Sequence, residues 1–415
     1  MRVAYICADA GVPVFGSKGC SVHVQEMVRA LIEQGADVEL FAGRRGGDPP
    51  HDLAGVRMHP LCSSLPADLE ARELALLEVN DTLRRLLDDC GPFDLVYERH
   101  ALWSHAGQEW AKESGIPSIL EVNAPLIQEQ EQHRGLRDRD RADWAARRAF
   151  AAATALVAVS HGVAAHLCGY EETKGRVHVI PNGIRPARFP ADVPPARERR
   201  DDVFTIGFVG SLKPWHGLTT LLGAFERLHH DPPAGRQSEL LIVGDGPLRE
   251  ALEQRLNATS GAIRQSVTFA GAVPPDDVPR WLAAMDVGVA PYPGLADFYF
   301  SPLKVIEYMA AGLPVVASRV GDLPQLQEAG AGILCPPDDP LSLAGAIRRL
   351  MLDPWFCRRL GEAGRRIAHE QYTWSSVARR VLELAGLAEP AMPRTAGEAK
   401  ADLHETIQAT LAHAG

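Results

Sequence analysis

Two charged residues one helical turn apart, Lys304 and Glu307 in YFSPLKVIEYMAAGLPVVAS (Tyr299 to Ser318), have the types and spacing to hold a ligand that is anionic at one end and rich in hydroxyls at the other. Ser301 is the predicted N-cap, and Pro302 suits the first helical position because its missing N–H costs nothing there; Leu303 follows in the first turn. Gly312 then closes the helix, Pro314 prevents its continuation, and Val315 to Ser318 read as a strand. At the open end, free backbone amides and the macrodipole favour an anion, and Lys304 adds a full positive charge. Glu307 falls on the same face, where a carboxylate can accept hydrogen bonds from a sugar diol. The same pattern also fits an ordinary helix–strand unit with a solvated Lys/Glu pair.

The elements that would position these groups follow from the rest of the chain. At 415 residues it is too long for one compact core and predicts two domains. With 46% hydrophobic and 23% charged residues the composition is that of a soluble globular protein, and the net charge of −10 argues against a general nucleic-acid binder. No apolar run approaches the roughly 18 to 20 residues that span a bilayer, and MRVAYICADAG enters a strand rather than a signal peptide, so the expected location is cytoplasmic. Seven cysteines without a C-x-x-C pair fit reduced thiols, with neither a structural disulfide nor a metal site expected. Of only six lysines, three fall in Gly- or Pro-rich loops: Lys18 in GSKG, Lys213 in SLKPWHG and Lys304 in SPLK.

Both halves share one grammar. The first opens with a strand at Arg2 to Cys7, a glycine-bearing loop through Gly16, Lys18 and Gly19, a helix to about Gln34 and a strand at Asp37 to Ala42; the Gly16–Gly19 loop reads either as a plain βα connection or as a binding loop able to close over a diphosphate or an acceptor, and further strands are predicted near 95–97, 118–122, 155–159 and 177–180. From about Asp201 the order restarts with FTIGFVGSLKPWHG, a helix, and ELLIVGDGPLREALEQRL. This predicts an α/β protein of two parallel-sheet, Rossmann-like lobes facing each other across a cleft. The lobes are set at 1–190 and 200–375, with a helical tail at 376–415 that includes a Pro/Ala stretch and a final amphipathic helix.

The second half resembles the family-4 retaining glycosyltransferases of GT-B fold, through GFVGSLKPWHGLTTLLGAF, LLIVGDGPLRE, VTFAGAVPPDDVPRWLAAMDVGVAPY, FYFSPLKVIEYMAAGLPVVASRVGDLPQL and GILCPPDDPLSLAGAI in order. The first half is similar more loosely, through PVFGSKGCSVHVQEMVRAL, ILEVNAPL, LVAVS and VIPNGI. The resemblance implies transfer of a sugar from a nucleoside-diphosphate donor, UDP- or GDP-linked, to a hydroxyl acceptor. The N-terminal lobe would bind the acceptor and the C-terminal lobe the donor. Glu307 matches the second glutamate of the family's E-x7-E signature, expected on the ribose. The first would fall at 299, where this chain has Tyr299; Asp297 is a candidate substitute. The family's diphosphate-binding arginine and lysine would fall, between Gly210 and Gly217, at Ser211 and His216, so Lys213 and Lys304 are expected to supply the charge. Gly244 and Gly246 in VGDGP match a tight turn beside the nucleotide, and Val273 ends the FAGAV stretch where such folds contact the base through backbone. Asn123 stands where the family often has a histidine near the reacting sugar.

Asparagine is no general base, which a front-face retaining transfer tolerates because the departing phosphate can take the acceptor proton. Lys213, Lys304, Asn123 and Glu307 are therefore the candidate catalytic residues, with Glu121, His100 and His23 readable as ordinary polar or packing residues. No obligatory cofactor or divalent ion is expected. Two further classes stay open: a nucleotide-sugar epimerase of the same fold and a non-catalytic nucleotide-sugar binder. Six arginines against three aspartates between His133 and Phe150 read either as a solvated helix face or as a contact for an acidic acceptor or a membrane surface. The acceptor, the base, the sugar and the oligomeric state are not legible.

Overall fold

The computed structural model describes residues 1–62, 64–295, 298–299 and 301–389. Seven parallel strands, β1 (Arg2–Cys7), β2 (Asp37–Ala42), β3 (Arg57–Pro60), β4 (Leu95–Arg99), β5 (Ser118–Val122), β6 (Ala155–Ala158) and β7 (Val177–Val179), form one sheet in the order β3-β2-β1-β4-β5-β6-β7. Six more, β8 (Val203–Val209), β9 (Gln237–Val243), β10 (Val267–Gly271), β11 (Val287–Ala290), β12 (Val315–Ser318) and β13 (Gly332–Cys335), form a second in the order β10-β9-β8-β11-β12-β13. Helices cover both faces, so the central strands are continuously apolar; β8 is buried along its whole length.

Strand order locates the crevices. In the first sheet the order reverses between β1 and β4, and in the second between β8 and β11. At such switch points the outgoing loops part, leaving an opening beyond the carboxyl ends of the strands. The register adds a second effect: Val209 pairs with Val243, so β8 and β9 end level and their loops emerge side by side. The loops are tied directly, Gly210 N–H to Val243 O at 2.9 Å and Leu212 N–H to Asp245 O at 3.0 Å. A Cβ at Gly244 would stand 2.0 Å from the Gly210 carbonyl oxygen, so only glycine allows this approach.

The helix Leu303–Ala310 follows β11 and is held from behind by the helix Pro354–Gln371, whose Arg365 donates to the Ala310 carbonyl at 2.7 Å. The chain then returns to the first lobe. Thr373 bridges Ile184, with Trp374 N–H on the Ile184 carbonyl at 3.1 Å, and the helix Trp374–Leu384 buries Trp374, Val377, Ala378, Val381 and Leu382 in the core beneath the first sheet. The helix therefore belongs to the N-terminal lobe's core, where the sequence set a lobe boundary at 375 and a separate tail from 376. Its apolar stripe has period 3.6 but carries no mark of which lobe it covers. The expected final amphipathic helix lies outside the described residues. Among the described residues no helix is long and apolar enough to cross a membrane.

Trp374 is 6% exposed and meets the His23 ring edge-on at 4.8 Å. Trp374→Ala should cost about 3 to 5 kcal/mol in urea unfolding monitored on the N-terminal lobe, the range for a deleted buried aromatic ring. A loss under about 1 kcal/mol would show that the crossing helix is not part of that core.

Candidate functional site

The second sheet's switch point is floored by aromatics. Phe208 lies at the end of β8, and Tyr292 lies just beyond the end of β11. The Lys304 ammonium sits 4.1 Å from the Phe208 ring centroid and 5.4 Å from that of Tyr292. Directly above it is Gly210, at φ 140°, where a Cβ would fall 2.9 Å from Lys304 Nζ. The ammonium is buried and has no hydrogen-bond partner among the described residues. Burial pushes its pKa down to about 7, only partly opposed by Glu307.

Glu307, one turn on, has a side chain 16% exposed, and its carboxylate accepts no hydrogen bond among the described residues. Its nearest ion partner is Arg188 Nη1 at 3.8 Å, beyond hydrogen-bond reach. Burial raises its pKa, while Arg188 and then Lys304 pull it back. A cation and a carboxylate thus share one helix face, each with its hydrogen-bonding capacity unspent. Such groups are costly to bury, and a ligand carrying an anion and hydroxyls would satisfy both.

The loop above contributes the His216 imidazole and Lys213. His216 Nδ1 lies against the Ser211 carbonyl, and burial, followed by Lys304 and more weakly Lys213, pushes this imidazole down to about 4. Lys213 and Lys304 therefore both act on His216, although the Lys213 ammonium itself rests 5.4 Å over the Trp215 ring. Gly217, at φ 65°, lets the loop pass so close to Pro291 that a Cβ would sit 1.6 Å from its carbonyl oxygen. Gly246 packs against Leu212, and Val273 is half-buried against the C-terminal core.

Several expectations are corrected. Ser301 does not cap the helix: Pro302 is the N-cap, with φ −80° and ψ 75°, and no side chain caps that end. These angles make an inverse γ-turn, which spends the Leu303 amide on the Ser301 carbonyl at 2.9 Å; Val305 donates to the Pro302 carbonyl. Less of the helix start is open to an anion than a serine cap implied, and more of the charge rests on Lys304. The Gly16–Gly19 loop is held by Gln25, whose amide donates to the Val14 and Gly16 carbonyls at 2.9 Å each, while Lys18 and Gly19 are exposed. Among the described residues no hydrogen bond or ion pair joins Lys18 to the C-terminal lobe. Asp297 lies outside the described residues.

Across the cleft, Asn123 donates to Glu121, a buried carboxylate that also takes His23 at 2.8 Å, Tyr97 and Arg99 at 3.3 Å. Burial opposes its charge, but His23 and Arg99 outweigh it and hold the carboxyl at about 2. Glu121 and His23 are thus one buried network whose effect at the surface is to fix Asn123 with Oδ1 left as an acceptor. His100 is buried, which drives its pKa down to about 3. At the first sheet's switch point, the loops after β1 and β4 open a cavity of about 340 Å³ lined by Asp9, Arg72, Trp103, Leu126, Glu129 and Arg134, among others. Tyr299 reaches over from the other lobe, its hydroxyl donating to Glu129 at 2.5 Å and its carbonyl accepting from Ser160 at 2.6 Å.

Residues missed from sequence are Arg188, Phe208, Tyr292 and Glu129. Only the aromatics left a signal, one at each strand end flanking the switch point. Elsewhere Glu39, His59 and Cys90 bring three metal-ligating atoms within 4.8 Å of one another. Glu39 already takes Arg2 at 2.5 Å and Arg57 at 3.2 Å, which compensate the charge that a cation would need.

Residues 17–188 match the family described as Glycosyltransferase Family 4, and residues 203–353 match Glycosyl transferases group 1. The chain is 28% identical over 401 residues to a D-inositol 3-phosphate glycosyltransferase of Acidothermus cellulolyticus, covering 91% of this chain and 85% of that one. It is 27% identical over 399 residues to an MMP alpha-(1->4)-mannosyltransferase of Mycolicibacterium hassiacum, covering 87% and 92%. Among solved structures, HepE of Anabaena in complex with UDP-glucose superposes with a TM-score of 0.67 at 18% identity, covering 93% of this chain and 99% of that one.

Lys304 sets a pH signature. Its folded pKa of about 7 lies below the ordinary lysine value, so between the two the unfolded chain holds a proton that the native one does not, and native stability rises with pH there. Lys304→Met should melt higher than wild type at pH 6, and the difference should shrink by pH 9.5. A difference that stays constant across this range would show that the ammonium is not buried alone.

Proposed function

Because the chain belongs to the family-4 glycosyltransferases of GT-B fold, we propose that it moves a hexose from a nucleoside-diphosphate sugar to an acceptor hydroxyl with retention at the anomeric carbon. The observation that carries the donor assignment is the pair on one helix face whose charged groups have no hydrogen bond among the described residues, Lys304 for the diphosphate and Glu307 for the ribose. The Gly210–Gly217 loop closes over the phosphates with His216 and Lys213, and the turn at Gly244 and Gly246 supports it from the neighbouring strand.

In this reading the glycosyl–phosphate bond breaks as negative charge grows on the leaving diphosphate. Lys304 is fixed beside that position before reaction, and a preorganised donor of this kind is typically worth roughly 3 to 4 kcal/mol in the transition state. Binding the phosphate also raises the Lys304 pKa, so that the lysine is charged when needed. These cations suffice without a divalent ion, and activity should persist in EDTA. Retention is supported by Asn123, which can orient a hydroxyl but cannot remove its proton; the departing phosphate then accepts it on the same face.

The acceptor enters the cavity beyond β1 and β4, where Arg72 and Arg134 suit a phosphate and Asp9 and Glu129 suit hydroxyls. The D-inositol 3-phosphate enzyme among the relatives supports a small polyol phosphate. All seven cysteines are free, which supports work in the reducing cytoplasm.

A thermal-shift titration with UDP, GDP and their hexose conjugates should raise the melting point of wild type by mass action, and Lys304→Met and Glu307→Gln should lose most of the response. Proton NMR of the product from an α-linked donor should show an α glycoside. A β product would refute retention and make Asp9 the candidate base, and an unshifted melting point with every nucleotide would refute the donor site.

A further inference from the structure

The linker between the lobes carries an arginine that faces Glu307. Ile184 and Phe189 are both buried in the C-terminal lobe's core, so the short turn Pro186–Arg188 between them has a fixed position. Its arginine is fixed as well: the side chain is 11% exposed, one Nη donates to the Pro275 carbonyl in the loop after β10, and the guanidinium lies 5.5 Å over the Phe189 ring. The other Nη faces Glu307 at 3.8 Å, and Nε lies 4.0 Å from Asp276.

Two requirements meet at Glu307. Its carboxylate must be ionised to accept two hydrogen bonds, yet its oxygens must stay free. A guanidinium in bidentate contact would meet the first and defeat the second. At 3.8 Å Arg188 supplies charge without occupying the lone pairs. The other charged groups facing this carboxylate are Lys304 on its own helix and, from the N-terminal lobe, Glu26, whose negative charge works against it. Glu26 is itself neutralised by Arg29 at 3.1 Å and Arg185 at 3.6 Å, the latter three residues before Arg188 on the same linker.

Resting on the nucleotide reading above, we propose that Arg188 is a positioning residue of the nucleotide site, which keeps Glu307 ionised and its oxygens open for the ligand's diol. Arg188 acts through Glu307 rather than by touching the ligand.

The test is a double-mutant cycle of wild type, Arg188→Gln, Glu307→Gln and the double variant, with UDP and GDP binding measured calorimetrically from pH 5.5 to 8. Ratios between variants cancel the nucleotide's own titration. Arg188→Gln should weaken binding roughly several-fold at pH 6, because the buried carboxyl then loses the charge that opposes the effect of its burial, and clearly less at pH 8. Arg188→Lys should restore most of the pH 6 affinity, and the double variant should bind like Glu307→Gln alone. If Arg188→Gln does not fold, Arg188→Met, which keeps the stem packed on Phe189, reads the same quantity. An equal loss at every pH, or effects that multiply in the double variant, would overturn the proposal. Wild-type affinity in Glu307→Gln, or no binding of either nucleotide to wild type, would instead overturn the nucleotide site on which it rests.

Discussion

A lysine ammonium buried with no hydrogen-bond partner among the described residues is the constraint from which the C-terminal lobe is best understood. Desolvating Lys304 is unfavourable, and the faces of Phe208 and Tyr292 and the charge of Glu307 offset it only in part. The surrounding structure enforces the arrangement. Gly210 sits directly above the ammonium, Gly244 lets the next loop press against Gly210, and the helix Pro354–Gln371 backs the helix that carries the lysine. An anion bound beside Lys304 would relieve that cost.

The fold sets where the opening beside Lys304 lies. Each sheet reverses its strand order once, and each reversal opens a crevice at the carboxyl ends of its strands. One crevice holds Lys304; the other opens into the cavity that Glu129 lines. Tyr299 bridges the two by donating to Glu129, so the residue standing where the family pattern has a glutamate is a clasp between the lobes. The helix Trp374–Leu384 closes the circuit from the other end, returning the chain to the N-terminal lobe beside the linker.

The legible parts of the sequence were those with local periodicity or turn chemistry. Strand–loop–helix order gave two parallel sheets, and the Lys304/Glu307 spacing gave one helix face. The cap at Ser301 was misread because the preference of serine is statistical, whereas Pro302 adopted a γ-turn set by its packing. Arg188 left no trace because its partners, Pro275 and Glu307, are far away in sequence. Lys18 shared a loop context with Lys213 and Lys304, but composition cannot say which loops face the cleft. The crossing helix showed its stripe and not its destination, since an apolar face names no partner.

Calorimetry of nucleotide binding at pH 8 in buffers of different ionisation enthalpy tests the central claim most directly, because the dependence on buffer counts protons taken up. A diphosphate docking on Lys304 should draw close to one proton into the wild-type complex and none into Lys304→Met. Uptake that is absent, or equal in both proteins, would mean that the phosphate lies elsewhere.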